Sequence, residues 1–330
     1  MNLITERLLL RPWEETDAES LYEYAKDPAI GPAAGWPVHT SAEESREVIK
    51  TVLSLPETYA VCLREDGWLI GCLAMKRSGH TDMTERDDEC ELGFWIGKPY
   101  WGRGYMPEAV REVLRHGFTE LGMTTIWCGY YDGNEKSKRV QEKCGFRHHH
   151  TCDDVPVPLM HETRVGHTNV LTKEDWRRSF AVRSLEEHEI PAALALAWRV
   201  FSEYEAPDYS PEGTAEFYHC LHDESYLAGI EYFGAFDRER LVGMAGIRRD
   251  NAHICFCFVD GKYHRLGLAT RLFALVKEEY AGRSITVNSS PCGLPFYKSL
   301  GFIETDSEQT VNGIRFTPMI YKITESESQK

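Results

Sequence analysis

Trp101-Gly102-Arg103-Gly104-Tyr105-Met106-Pro107-Glu108 is a short, basic, glycine-containing turn that runs straight into a helical pattern. At such a junction the first N–H groups of the helix lack intrahelical partners, and with the helix dipole they face an anion. Pro107 suits the first helical turn, where its missing N–H costs little. A looser copy, His264-Arg265-Leu266-Gly267-Leu268-Ala269-Thr270, stands later in the chain. The sequence therefore carries two candidate phosphate cradles.

Outward from the first cradle, Cys90 to Ile96 predicts a strand before it. The helix behind it turns Ala109, Val110, Val113, Leu114 and Phe118 inward. A strand at Thr125–Tyr130, a short helix at Glu135–Lys143, Cys-Gly-Phe and closing strands to about Trp176 follow. Upstream lie a strand at Leu8–Trp13, a helix at Glu14–Ala25, and strands Ala60–Arg64 and Trp68–Lys76 around a turn at Glu65-Asp66-Gly67. The second cradle has a matching frame. Its strands are Phe180–Leu185, Glu231–Phe236, Leu241–Arg248, Ala252–Val259, Ser284–Val287 and Phe316–Ile323. Its helices are Ile190–Trp198, one from the cradle through Tyr280, and Leu294–Leu300.

The motifs recur in the same order, which distinguishes duplication from coincidence. Arg11 and Arg183 are 172 positions apart, each followed by a Glu-Glu pair; Gly104 and Gly267 are 163 apart; Gly145-Phe146 and Gly301-Phe302 are 156 apart. The shrinking offset means a shorter second copy. Both copies read as α+β units with one main sheet, and the boundary is expected near Arg178.

At 330 residues the chain suits two domains. Hydrophobic content of 42% and charged content of 27%, with no segment apolar enough to span a bilayer and no signal-peptide plan at Met1–Arg7, predict a cytoplasmic protein. Ten cysteines without a CxxC pair read as reduced thiols. A net charge of −15 argues against nucleic acid and anionic membranes as partners, so phosphate binding must be local.

These ordered motifs resemble two GNAT-superfamily N-acetyltransferase domains in tandem, over nearly the whole chain. The family opens its central helix with Gln/Arg-x-x-Gly-x-Gly/Ala, here Trp101 to Met106 and His264 to Ala269, the first departing from that pattern at both ends. The first copy is similar to the ribosomal-protein N-terminal acetyltransferases. Glu91 to Ile96 gives Glu-Leu-Gly-Phe-Trp-Ile, and Asn134, Ser137, Val140, Lys143, Gly145 and Phe146 follow that branch's spacing. The second copy carries Phe296-Tyr297-Lys298-Ser299-Leu300-Gly301-Phe302, a generic form. The resemblance implies the three-layer acyl-CoA N-acyltransferase fold, twice, each with a mixed, mostly antiparallel sheet flanked by helices. The expected domains are 1–178 and 179–326, with a polar tail at 327–330, and a homodimer is left open.

The resemblance also implies acetyl-CoA as cosubstrate, with no metal. Its pyrophosphate falls to Trp101, Gly102, Arg103, Gly104, Tyr105 and Met106 in the first copy, where Asn134 is a further cofactor contact. In the second it falls to His264, Arg265, Gly267, Leu268, Ala269 and Thr270, with Asn288 on the pantetheine arm or ordering a turn. Acetyl transfer to an amine needs a proton acceptor and a donor to the leaving thiolate. Glu91 is the candidate base, with Glu89 on the same strand face and Asp88 nearby; a solvated strand face is the alternative. Ser137, or a helix cap in its place, is the candidate donor in the first copy, and Tyr297 in the second, where an aromatic packed on the sheet is the alternative. The position aligned with Tyr297 is Gln141, so the halves cannot share one acid. The strand 252–259 holds no carboxylate before Asp260; His253 is a possible base by its intrinsic pKa or an exposed strand end. His148-His149-His150 with Cys144, Cys152 and His161 lacks metal-site spacing, and nothing in sequence pairs Cys144 or Cys292 with a base. The acceptor is expected to be a primary amine, a protein N-terminus or a small molecule, acetylated by direct attack. In the rival reading, one half is a non-catalytic coenzyme A-binding or dimerisation module.

Overall fold

In the computed structural model, which describes residues 1–322, the strand Leu8–Pro12 buries Leu8 and Leu10 while Leu9 and Arg11 stay half-buried. That period of two marks a sheet with a filled inner face. The chain divides into two compact units, Met1–Trp176 and Arg177–Lys330. The polar tail, and Ile323 of the expected last strand, lie outside the described residues.

In the first unit β1 (Leu3–Ile4), β2 (Leu8–Pro12), β3 (Thr58–Leu63), β4 (Leu69–Arg77), β5 (Glu89–Ile96), β6 (Thr125–Tyr131), β7 (Arg147–Val157) and β8 (Glu162–Thr172) stand in the spatial order β1-β2-β3-β4-β5-β6-β8-β7. Neighbours are antiparallel except β5 and β6. The helices are α1 (Ala18–Ala25), α2 (Ala42–Val48), α3 (Tyr105–Thr119) and α4 (Glu135–Lys143). The predicted inward face of α3 is buried without exception: Ala109, Val110, Val113 and Phe118 are 0% exposed and Leu114 is 1%.

α5 (Lys173–Arg178) carries the chain across the division. The second unit contains β9 (Ala181–Ser184), β10 (Ile230–Asp237), β11 (Arg240–Arg248), β12 (His253–Val259), β13 (Ile285–Ser289), β14 (Ile303–Glu304), β15 (Gln309–Val311) and β16 (Ile314–Tyr321). Their order is β14-β16-β13-β12-β11-β10-β9, with β15 on β16; again one neighbouring pair, β12 and β13, is parallel. Its helices are α6 (Ile190–Tyr204), α7 (Pro211–Cys220), α8 (Glu224–Leu227), α9 (Leu268–Glu279) and α10 (Leu294–Ser299). Two mixed, mostly antiparallel sheets flanked by helices match the expected fold class. α2, α7 and α8 lie in segments where the sequence reading assigned no element.

The Arg…Glu-Glu repeat has a physical cause. Arg11 grips Asp17 with two hydrogen bonds of 2.8 and 2.7 Å, and Asp17 accepts the Glu14 N–H at 2.9 Å, closing a capping box ahead of α1. Arg183 repeats the grip on Glu189 with two 2.7 Å bonds, and Glu189 accepts the Glu186 N–H at 2.9 Å. The Arg183 hydrogen bonds pull the Glu189 carboxyl down to about 2. The conserved element of each copy is thus the acid at the third helical position rather than the Glu-Glu pair.

Because Asp17 is 8% exposed, Asp17→Ala is expected to cost about 3 kcal/mol through a broken buried pair and a lost cap. Only Trp198 of the eight tryptophans lies beyond Trp176, so urea unfolding followed by tryptophan fluorescence reads the first unit. The equivalent Glu189→Ala, on a more exposed pair, is expected to cost less.

Candidate functional site

The parallel strands at the centre of each sheet pair briefly and then part. β5 and β6 are in register only at Glu89↔Thr125, Cys90↔Ile126 and Glu91↔Trp127. β12 and β13 are in register only at His253↔Thr286 and Ile254↔Val287. β6 continues on β8 as far as Tyr131, and β13 continues on β16 as far as Ser289, so a gap opens beyond residues 91 and 254. Backbone groups facing that gap have no ladder partner across it; the Leu92 carbonyl is taken by the Cys128 thiol and the Gly129 carbonyl by Gln141, and others are left to a ligand.

At the far end of each gap lies a cradle. In the first unit a tight turn at Lys98–Tyr100 leads through Gly102 (φ 75°) and Gly104 (φ 80°) into α3. Both glycines adopt the left-handed conformation that side chains resist, and a Cβ on Gly102 would meet nothing within 4 Å. The amides of Gly104, Tyr105 and Met106 open the helix, while the Met106 side chain is 3% exposed. The Trp101 indole N–H donates to the Ile96 carbonyl at 2.9 Å, five residues back, and His264 Nε2 donates to the Val259 carbonyl at 2.8 Å, also five residues back. The two rings therefore pin the turn to its strand, and what they offer an anion is their backbone.

The second cradle departs in one respect. The left-handed position held by Gly102 is occupied by Arg265, at φ 61°, before Gly267 at φ 77° and α9. A non-glycine residue there costs about 1 kcal/mol. Arg265→Gly is therefore expected to raise the thermal midpoint of the second unit while weakening its grip on coenzyme A, because the cationic side chain is lost; calorimetry and a ligand titration read the two effects separately.

Two cradle arginines were not foreseen. Arg7, from the β1–β2 turn, donates to the Arg103 carbonyl at 3.1 Å, pairs with Glu108 at 2.6 Å and lies 4.5 Å over the Tyr105 ring. Arg177 Nη2 lies 3.4 Å from the Leu266 carbonyl. A Cβ on Gly104 would approach Arg7 Nη2 at 3.5 Å, and one on Gly267 would approach Arg177 Nη2 at 3.8 Å. Each cradle thus has a guanidinium beside its glycine. In the first unit the Arg7 fork is held by Glu108 and the Arg103 carbonyl, so it fixes the turn, and the first-turn amides are what face a pyrophosphate.

Within the first unit Glu91 stands at the base of the gap with both oxygens engaged: Lys76 Nζ lies 2.8 Å from Oε1, and Thr81 donates to Oε2 at 2.6 Å. Burial is the largest single influence on Lys76 and lowers its pKa, but the charge and hydrogen bond of Glu91, with Asp82 behind them, together carry the net shift upward. Glu89 accepts from Thr84 at 2.8 Å and from the Trp127 indole at 2.7 Å. Asn134 caps α4 through the Ser137 N–H at 3.1 Å and donates to the Ala33 carbonyl at 3.1 Å. Gln141 is 0% exposed and donates to Gly129 O and Ser137 Oγ, both at 3.1 Å, while Asn169 donates to it at 2.9 Å. Since Ser137 Oγ accepts from Gln141, its own hydroxyl proton is left to point elsewhere.

In the second unit the gap opens into a cavity of about 390 Å³ lined by β12, the end of β13, α6, α7, α10 and β16. Tyr297 is 7% exposed, and burial raises its pKa well above the ordinary phenol, with Cys257 next in effect. Cys257, hydrogen-bonded to Tyr297, is itself pushed up to about 12 by burial. Asn288 lines the same cavity. His253 also lines it, half-buried rather than exposed, at 2.9 Å from the Thr286 hydroxyl, with burial and then Arg248 lowering its pKa. Glu205, a residue the sequence reading passed over, projects from the end of α6 into this cavity beside Ser290, and burial pushes its carboxyl up to about 7. One signal was present in sequence: a carboxylate where Pro207 stops a helix sits at the wrong end of the helix dipole.

Among the described residues no group of three or more His, Cys, Asp and Glu could hold a metal ion, and no helix is long and apolar enough to cross a membrane.

Family models described as "Acetyltransferase (GNAT) domain" match residues 7–147 and residues 205–323. The chain is 30% identical over 149 residues to the Bacillus subtilis "Uncharacterized N-acetyltransferase YnaD", covering 44% of this chain and 83% of that protein. It is 31% identical over 112 residues to the Bacillus subtilis "Putative ribosomal N-acetyltransferase YdaF", covering 34% of this chain and 57% of that protein. A Bacillus anthracis GNAT-family acetyltransferase structure is 25% identical with a TM-score of 0.47, covering 53% of this chain and 99% of that one. Two glycine-turn cradles on two mixed sheets, each matched by the family's model, make this chain a member of the GNAT acetyltransferases, an acyltransferase with two such domains in tandem.

Proposed function

We propose that the chain moves acetyl from acetyl-CoA to a primary amine, a protein N-terminus or a small amine, by direct attack in a ternary complex. Two acetyltransferase domains, residues 1–178 and 179–326, carry it. The observation that supports this reading best is the recurrence, in both units, of a left-handed glycine turn with an adjacent guanidinium at one end of a gap between parting parallel strands. Acetyl-CoA laid along that gap would have its pyrophosphate on the amides of Gly104 to Met106, or of Gly267 to Ala269, and supplies the activated acyl group. Direct attack is favoured over an acyl-cysteine because Cys144 is 2% exposed, out of reach of an acyl donor, and the Cys292 thiol, though on the surface, is raised by partial burial and then by Glu205 rather than held as a thiolate.

The test is initial-velocity kinetics with acetyl-CoA and a panel of amines, read as free thiol released. Intersecting double-reciprocal lines are expected. Parallel lines would overturn direct attack, and no acceptor-dependent thiol release with any amine would overturn the function.

A second reading, in which one half binds coenzyme A without turnover, is favoured by Gln141. It stands where the second unit has Tyr297, is fully buried, and has its amide committed to Gly129, Ser137 and Asn169. Ser137→Ala separates the readings: a fall in thiol release for any acceptor means the first unit turns over, and unchanged rates for all acceptors mean it does not.

A further inference from the structure

The cavity of the second unit combines one inner carboxylate with aromatic walls. Phe201 stacks on Phe217 at 4.0 Å and on Tyr209 at 5.5 Å, and Phe256 and Phe258 stand edge-on to Phe217 at 6.3 and 5.7 Å. Phe217 and Tyr209, partly exposed, present an apolar surface on the α6, α7 and β12 side, and the buried Phe201 and Phe256 back it. A register shift between Gly246 and Ile247 leaves Cys255 as an extra residue in β12, a bulge of the kind that re-aims side chains beside sites.

The charges around this surface have one sign to spare. Arg315, the cation on the wall, is paired with Glu308 at 2.9 Å. Glu216 accepts from Asn312 at 3.1 Å. Glu205 faces Ser290, its hydrogen-bond partner, and no cation contributes to its shift. Tyr209, Cys257, Cys292 and Tyr297 are near enough to feel its charge, and all four are held toward their neutral forms by burial. His253 stands at the other end of the cavity wall with its pKa lowered. A carboxylate in aromatic surroundings with no guanidinium to answer it complements an ammonium on an apolar body.

We propose that the second unit acetylates small primary monoamines, a single ammonium on an apolar body, and that Glu205 is the catalytic residue that receives the ammonium proton. This rests on the acetyl-transfer reading above. The ammonium gives one proton to the Glu205 carboxylate, which passes it to solvent. The free amine attacks the acetyl carbon, the C–N bond forms and the C–S bond breaks. The second nitrogen proton replaces the phenolic proton that Tyr297 gives to the departing sulfur, so amide, coenzyme A thiol and one proton are the products. A carboxyl held near 7 by burial is half-ionised at neutral pH and suited to this duty.

The test uses the full chain, with 2-phenylethylamine, spermidine and a neutral tetrapeptide as probes, and Glu205→Gln as the near-isosteric variant. In the wild type, kcat/KM for 2-phenylethylamine should rise through a limb near pH 7, below the limb of the amine itself. Glu205→Gln should remove the lower limb and reduce kcat/KM for 2-phenylethylamine by about 100-fold or more. Peptide acetylation, which this inference leaves to the first unit, and the coenzyme A titration should change less than about twofold. Calorimetric titration of 2-phenylethylamine into coenzyme A-saturated protein should show binding that the variant loses. The inference is overturned if the wild type fails to bind 2-phenylethylamine, if Glu205→Gln leaves its acetylation and the pH limb intact, or if the variant impairs spermidine or peptide at least as much. Binding of 2-phenylethylamine that depends on Glu205, with no transfer to any amine, would overturn the acetyl-transfer function and the proton role while leaving the amine site standing.

Discussion

Tyr297→Phe is expected to lower kcat for amine acetylation by the second unit by about 100- to 1,000-fold, as loss of a positioned general acid does. The size of the effect follows from where the hydroxyl sits. Tyr297 lies on α10, 7% exposed, and its pKa is held far above neutrality by burial, so its proton is present at any working pH. The substitution removes the hydrogen bond to the Cys257 thiol, a weak partner, and keeps the packing. The ring packs against Phe296 and Phe302, each at 5.2 Å, and phenylalanine keeps those contacts. Stability and coenzyme A affinity should therefore stay close to wild type, and stopped-time assays of amide formation read the loss. A kcat within threefold of wild type would return Tyr297 to the role of a packing aromatic.

Gly104→Val and Gly267→Val are expected to abolish coenzyme A binding one unit at a time. Both glycines are the left-handed N-caps of their helices, at φ 80° and 77°, where a β-branched residue costs about 1–3 kcal/mol in backbone strain. The added atoms would also point toward Arg7 and Arg177, whose nearest nitrogens lie 3.5 and 3.8 Å from an ideal Cβ. Displacing the first-turn amides and the guanidinium together should raise the dissociation constant at that unit by about 100-fold, equivalent to about 3 kcal/mol. A ligand titration of each variant reads it, and a variant that still binds two equivalents with wild-type affinity would remove the cradle from the account.

Much of this was legible in the sequence because the features that carry it are local. A glycine forced to positive φ at a strand-to-helix junction, an inward helical stripe from Ala109 to Phe118, and three motifs repeated in order all leave a mark in adjacent letters. The Arg11 and Arg183 repeat was visible too, although its working part proved to be Asp17 and Glu189, three residues after the Glu that opens each pair. What escaped depends on contacts distant in sequence. Arg7 reaches the Arg103 carbonyl and Arg177 the Leu266 carbonyl across roughly ninety residues or more. Glu205 gains its character only when the end of α6 is buried in the cavity that β12, α7 and α10 help to line, an effect that the Ser290 hydrogen bond opposes. Ring nitrogens were opaque for the same reason: Trp101 and His264 read as cradle residues, and the strand ends five residues back hold their N–H groups.

The central claim is that both halves are coenzyme A sites, and isothermal titration of coenzyme A into the full chain tests it most directly. Two equivalents should bind to the wild type, one to Gly104→Val, one to Gly267→Val and none to the double variant. A single equivalent in the wild type, lost with only one of the two glycines, would contradict it.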